Sequence, residues 1–294
     1  MKITESVIHS QSRLGEGPLW HAKEGALYWV DIHQQKVERF ILASGERRTF
    51  NFPLMVTTLG LRQTGGFIAA TEKGIGFWDG ASEDIQHFIR PEADLPENRF
   101  NDGTVGPDGN FWAGSMRERV DLDGPAPGSF YRVSAADLSI QKVETNLHIS
   151  NGLGWSPDHK TFYLTDSPQH LIYHYHFDAA SGQISDREIF LHTPDELGVP
   201  DGLAVDAEGC IWSARWGGWK VTRYSPKGEV LQEIELPVEH VTSCAFGGPE
   251  LNTLFITTAW TPLTEDQRAA QPLAGDIFAV DLEVQGQMPW KFGG

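Results

Sequence analysis

One pattern recurs along this chain and limits what it can fold into. A glycine opens an apolar strand, a polar turn follows, and a second strand rich in aromatics comes next. The copies open at Gly17, Gly60, Gly103, Gly152 and Gly202, with a looser sixth at Ala245. Their separations are 43, 43, 49, 50 and 43 residues. Repeats of roughly 40 to 50 residues, each with about four strands, are the signature of propeller blades. Later strands help to fill that quota at 36–40, 129–133, 171–175 and 276–280, where apolar and polar residues alternate in part. The fold expected is all-β: a six-bladed β-propeller with four strands per blade, as one domain over residues 1–294. The alternating run 2–8 precedes the first copy, so it is expected to join the last blade and close the ring. Only 263–270 and 134–138 read as helical, for a turn or two each.

Composition supports short strands and aromatic packing, with 31 glycines, 16 phenylalanines and 10 tryptophans in 294 residues. A formal net charge of -17 repels phosphate backbones and argues against nucleic acid as a partner. No apolar run reaches the roughly 20 residues that span a bilayer, and residues 1–14 lack the pattern of a signal peptide. Cys210 and Cys244 sit in apolar strand-like runs and read as buried free thiols. A cytoplasmic protein, monomeric or weakly oligomeric and acting on a small molecule, is expected.

In a propeller the first strand of each blade lines the axial channel, so equivalent positions converge at one mouth. The residues just before each repeat opening are Glu16, Leu59, Asp102, Asn151, Asp201 and Cys244. Four of these six carry oxygen, in otherwise apolar strands. Burying carboxylates together is costly unless a cation or hydrogen bonds compensate. Glu, Asp and Asn oxygens suit one hard divalent cation, calcium first, with magnesium, zinc or manganese as alternatives. Each Asx-Gly pair also has a plain reading as a turn; the shared register favours the cation.

Four motifs then carry a resemblance. The stretches 14–20 (LGEGPLW), 98–103 (NRFNDG), 149–153 (ISNGL) and 200–202 (PDG) resemble the family of the senescence marker protein (regucalcin), gluconolactonase and bacterial sugar-lactone lactonases. The resemblance covers essentially the whole chain. It implies a six-bladed propeller, a metal held by Glu16, Asn151 and Asp201, Asp201 as general base, and Arg99 and Asn101 as substrate contacts. Animal members place an acidic residue after the Gly-Thr-Met stretch; here that position falls on Arg119, with Glu118 beside it, so both join the substrate-binding candidates. The implied activity is metal-dependent hydrolysis of a sugar (aldono) lactone to the aldonic acid. Hydrolysis of another ester, such as a phosphotriester, and calcium binding without catalysis are the alternatives. Arg99 has a second reading as an ion-pair partner of Glu97 or another acidic neighbour. His174 and His176 read as an exposed polar face, Asp31 and His33 as loop contacts, and Trp216, Trp219 and Trp260 as packing.

Overall fold

A computed structural model describes residues 5–119, 124 and 126–294. The chain is almost entirely β, as the repeat predicts. Strands pair with their sequence neighbours as antiparallel meanders. The meanders start from Gly15–His21, Val56–Arg62, Asn98–Val105, Ser150–Trp155, Val199–Val205 and His240–Gly247. These six first strands touch one another in cyclic order, and the sixth returns to the first. The last meander runs from His240–Gly247 through Thr253–Ala259 to Ile277–Asp281, and Glu5–Ile8 pairs antiparallel to that edge. Residues 2–4 of the predicted N-terminal strand lie outside the described residues. Of the two helical stretches read from sequence, 134–138 is a single turn closed by the Leu138 N–H on the Ser134 carbonyl at 3.0 Å. The other is the helix Glu265–Ala270, started by a capping box between Thr264 and Gln267. Among the described residues no helix is long and apolar enough to cross a membrane.

The third and fourth meanders are held together by aromatic side chains from their first three strands. Trp112 and Trp155 meet edge to face at 5.8 Å, with Phe130 and Phe162 stacked at 5.5 Å beside them. All four are fully buried, each adding about 1.5 to 3 kcal/mol from apolar area alone. Cys210 and Cys244 are buried free thiols, as expected.

Every first strand carries a β-bulge. It falls between Glu16 and Leu19, Phe100 and Gly103, Asn151 and Leu153, and Pro200 and Leu203. A bulge leaves residues without a cross-strand partner and re-aims their side chains, a device common at rims and active sites. Glu16, Asp102, Asn151 and Asp201 thus lie at bulges, and all but Asp102 line one cleft. The register is offset in the other two strands, where the bulges lie earlier, between Val56 and Thr58 and between Val241 and Ser243. Leu59 and Cys244 sit beyond those bulges and line a cavity deeper in the channel. The bulge positions in those strands belong to Thr57 and Thr242, whose buried hydroxyls donate to the carbonyls of Ala70 and Gly15. The Asx-Gly pairs are not turns, since all three lie within strands. Their glycines allow close approach of neighbouring first strands. A Cβ on Gly152 would stand 2.6 Å from the Leu203 nitrogen, and one on Gly202 would collide with Ser243.

The C-terminal run crosses the far end of the channel. Gln287 Nε2 donates to the carbonyls of Trp155 (2.9 Å) and Val205 (3.2 Å). Trp290 packs edge-on against Trp155, and Lys291–Phe292 pairs parallel to Val56–Arg62. The run thus ties the fourth and fifth meanders to the second. Losing the half-buried Trp290 and the buried Phe292 together with these hydrogen bonds should cost roughly 5 kcal/mol. Deleting residues 285–294 is expected to lower Tm by about 10 °C. An unchanged melting curve would show that the run is not a clasp.

Candidate active site

Two strand-end carboxylates set the approach to the site. Asp31 accepts from the backbone N–H groups of Arg13 (2.7 Å), Leu14 (3.2 Å) and Gln34 (3.1 Å), fixing the turn that leads to Glu16. Asp166 does the same for His148 and Ile149, two residues before Asn151. Burial pushes both carboxyls up, and these N–H donors pull them back. Asp31 is thus a loop contact, as read from sequence. His33 does more, because its Nε2 stands 3.4 Å from Glu118 Oε1.

The structure brings Glu16, Asn151 and Asp201 into one cleft of about 440 Å³, together with Arg99 and Asn101. Asn151 Nδ2 donates to Asp201 Oδ1 and, at 3.2 Å, to Ser167 Oγ. Asp102 lies beneath and faces the deeper channel cavity. Glu16 and Asp201 thus share the cleft, with Asp102 close enough for its charge to act on both. Burial, followed by the charges of Asp201 and Asp102, pushes Glu16 well above the usual carboxylate range. Burial and Asp102 do the same to Asp201. Asp102 is pushed up by burial to about 6, with the Gly103 N–H at 2.7 Å as its partial relief. The nearest guanidinium, that of Arg99, offsets little of this, because it is committed elsewhere. Such a group of like charges is unstable unless protonated or joined by a cation. The donor set of carboxylates and one amide fits a hard divalent ion.

Arg99 is 6% exposed. Its Nε donates to Glu118, and its Nη1 donates to Asn101 Oδ1 (2.8 Å) and to the Phe100 carbonyl (2.9 Å). Asn101 Nδ2 donates in turn to the Ser150 carbonyl at 3.0 Å. Arg99 therefore has an acidic partner, but it is Glu118 and not Glu97, which pairs instead with Arg117. Burial raises the Glu118 carboxyl, yet hydrogen bonds from His33 and Arg99 more than offset this and bring it down to about 2. Glu118 thus braces Arg99 outside the cleft wall. Arg119 does not line the cleft itself; with Glu118, Lys73 and Glu97 it lines an adjoining depression that shares Arg99 with the cleft.

Two polar cleft residues, Ser167 and His170, were not singled out from the sequence; both come from the loop after the second strand of the fourth meander. Trp216, read from the sequence as packing, also lines the cleft while stacking on His240 at 4.3 Å. Trp219 and Trp260 stay outside it. His174 pairs with Glu188 at 3.1 Å and His176 is exposed, as expected. A second acidic group, Asp206 with Glu208 and Cys210, lies close enough together to suggest a metal. Its charge is already met, because Arg223 donates to both carboxylates at 2.7 Å and Trp212 Nε1 donates to Asp206 at 2.9 Å.

Residues 14–260, which include every cleft residue, match the SMP-30/gluconolactonase/LRE-like region. The chain belongs to the SMP-30/gluconolactonase/LRE-like family. Within this family, the 6-deoxy-6-sulfogluconolactonase of Pseudomonas putida is 37% identical over 289 residues, covering 98% of each chain. The crystal structure of a calcium-binding protein, regucalcin, from Agrobacterium tumefaciens has a TM-score of 0.94 at 30% identity, covering 99% of this chain and 97% of that one. A β-propeller domain of Cps50 from Myceliophteria thermophila has a TM-score of 0.61 at 13% identity, covering 91% and 83%. That last likeness concerns the fold alone and marks the arrangement of sheets as propeller-like. Homologues in the family support sugar-lactone hydrolysis as the activity class.

Proposed function

We propose that the six meanders are the blades of one six-bladed propeller, closed by Glu5–Ile8, and that its mouth is the active site of a metal-dependent sugar lactonase. The observation that carries this reading is the group of carboxylates formed by buried Asp201 and half-buried Glu16 and Asp102, with no ion-pair partner among the described residues, beside a cleft that also presents Arg99 and Asn101. Glu16, Asn151 and Asp201 would hold one divalent cation, with calcium the best match to their oxygens. When bound, the cation supplies Lewis acidity toward a lactone carbonyl.

The chain's own residues do the rest. Asp201 takes a proton from the attacking water as its oxygen bonds to the carbonyl carbon. The ring C–O bond then breaks, and the ring oxygen takes that proton from Asp201 and leaves as a hydroxyl of the aldonic acid. Arg99, held rigid by Glu118, and Asn101, held by the Ser150 carbonyl, orient the lactone hydroxyls and carry no spare flexibility to lose. The reading needs no partner chain and suits a cytoplasmic monomer.

The test is acid release from gluconolactone, galactonolactone, arabinolactone and xylonolactone, followed with a pH indicator. Metal-stripped protein should be inactive, and calcium, manganese, zinc or magnesium should restore turnover. Folded protein that opens no lactone with any metal would sink the reading and move the weight to another ester, with a phosphotriester as the next substrate to try.

A further inference from the structure

The cleft holds one imidazole that the scheme above does not use. The second strand of the fourth meander, Thr161–Asp166, ends in the short 3-10 turn Ser167–Gln169, and His170 follows in the left-handed region with φ of 55°. That conformation is uncommon for a residue with a side chain, and it persists where neighbours over-determine it. Here they do. The His170 N–H donates to the Ser167 carbonyl at 2.9 Å, and its own carbonyl accepts from Thr193 N–H at 3.0 Å. The backbone is pinned on both sides, and the ring is thereby held against the cleft. Ser167, at the start of the same turn, accepts from Asn151, so the loop is registered directly to the carboxylate group.

The ring's two nitrogens differ. Nδ1 is enclosed and has no hydrogen-bond partner among the described residues. A proton placed there would be a buried donor left unpaired, which is the costlier state. The neutral tautomer with its proton on Nε2 is therefore favoured, which makes the ring a fixed donor. The carboxylates of the cleft only accept, and the donors assigned so far, Arg99 and Asn101, come from the third meander. A sugar lactone displays hydroxyls around its ring, so one donor side leaves part of it unread.

Building on the lactonase reading, we propose that His170 is a substrate-binding residue. Its Nε2–H donates to a hydroxyl of the lactone and so sets which sugar lactones this chain prefers. A site built to pair a hydroxyl rejects the analogue lacking it far more strongly than an apolar pocket can.

The experiment compares the parent with His170→Phe, which keeps a flat ring without a donor, and His170→Asn, which keeps a donor on a shorter arm. KM and kcat are measured on the preferred lactone and on lactones that lack or invert one hydroxyl. The calcium-induced rise in Tm is recorded for each protein. His170→Phe should raise KM for the preferred lactone by about 10-fold or more, with kcat changed much less. Its preference over the one lactone lacking the paired hydroxyl should fall toward unity, and His170→Asn should regain part of it. The calcium response should not change. An active parent whose His170→Phe variant keeps both KM and substrate ranking overturns the role of His170 and leaves the lactonase reading standing. So does a variant that loses the calcium response and turnover on every lactone alike, since that marks a structural part. A parent inactive on all lactones fails the lactonase reading itself, and this inference with it.

Discussion

Asp201→Asn is expected to lower lactone turnover by at least about 1,000-fold, because it removes both the base and one charge of the proposed cation site. The substitution keeps the shape of the side chain, and the bulge that presents it is set by backbone pairing around Pro200 and Leu203. Fold and secondary structure should therefore survive. Asp102→Asn is the informative control. Asp102 belongs to the same electrostatic group but faces the deeper channel cavity and not the cleft. It should keep turnover within about 10-fold of the parent, well inside the span that separates an assisting charge from a general base. Equal losses at both positions would mean that the group acts as an undivided charge and that no single base can be assigned. An active Asp201→Asn would place the base elsewhere.

The metal-free protein should become less stable as pH rises through the range where most acidic proteins are comfortable. Asp102 has a native value raised to about 6, against an ordinary carboxylate near 4 in the unfolded chain. A group raised in this way contributes its stability below the unfolded value and loses it as pH climbs through the native one. The loss from Asp102 is on the order of 3 kcal/mol between about pH 4 and well above pH 6. Glu16 and Asp201, raised in the same direction, add to it. Adding calcium should reverse the loss, so the calcium-induced rise in Tm should be small at pH 5 and large at pH 8. In the absence of metal, Asp102→Asn should melt higher than the parent at pH 8 and show a flatter pH dependence. A parent whose metal-free Tm is level from pH 5 to 8 would contradict the crowding of charge at the mouth.

Much of the site could be read from sequence because the repeat makes position along the chain equivalent to position around the channel. Glu16, Asp102, Asn151 and Asp201 could be picked out together since each precedes a glycine, required by close neighbours at Gly103, Gly152 and Gly202 and by a positive φ at Gly17. The same rule misplaced Leu59 and Cys244. In those strands the bulge comes earlier, and a bulge is set by cross-strand pairing that residue type alone does not mark. Thr57 and Thr242 consequently looked like ordinary strand residues. The cleft walls were harder still. His170 reaches the mouth from the loop beyond the second strand of the fourth meander and Trp216 from the last position of the second strand of the fifth, with no motif around either. Glu118 was noticed for its place in a pattern, whereas its bond to Arg99 depends on the pairing of two strands within the third meander, and its approach to His33 on the first and third meanders meeting.

The clasp formed by residues 285–292 has a practical consequence. It crosses the end of the channel remote from the cleft, which leaves the cleft mouth as the expected route for substrate entry and product release. The chain ends on the remote face, where Gly293 N–H meets the Gly109 carbonyl at 3.1 Å. A fusion partner or surface tether attached after Gly294 would therefore hold the molecule with its open cleft turned toward solution.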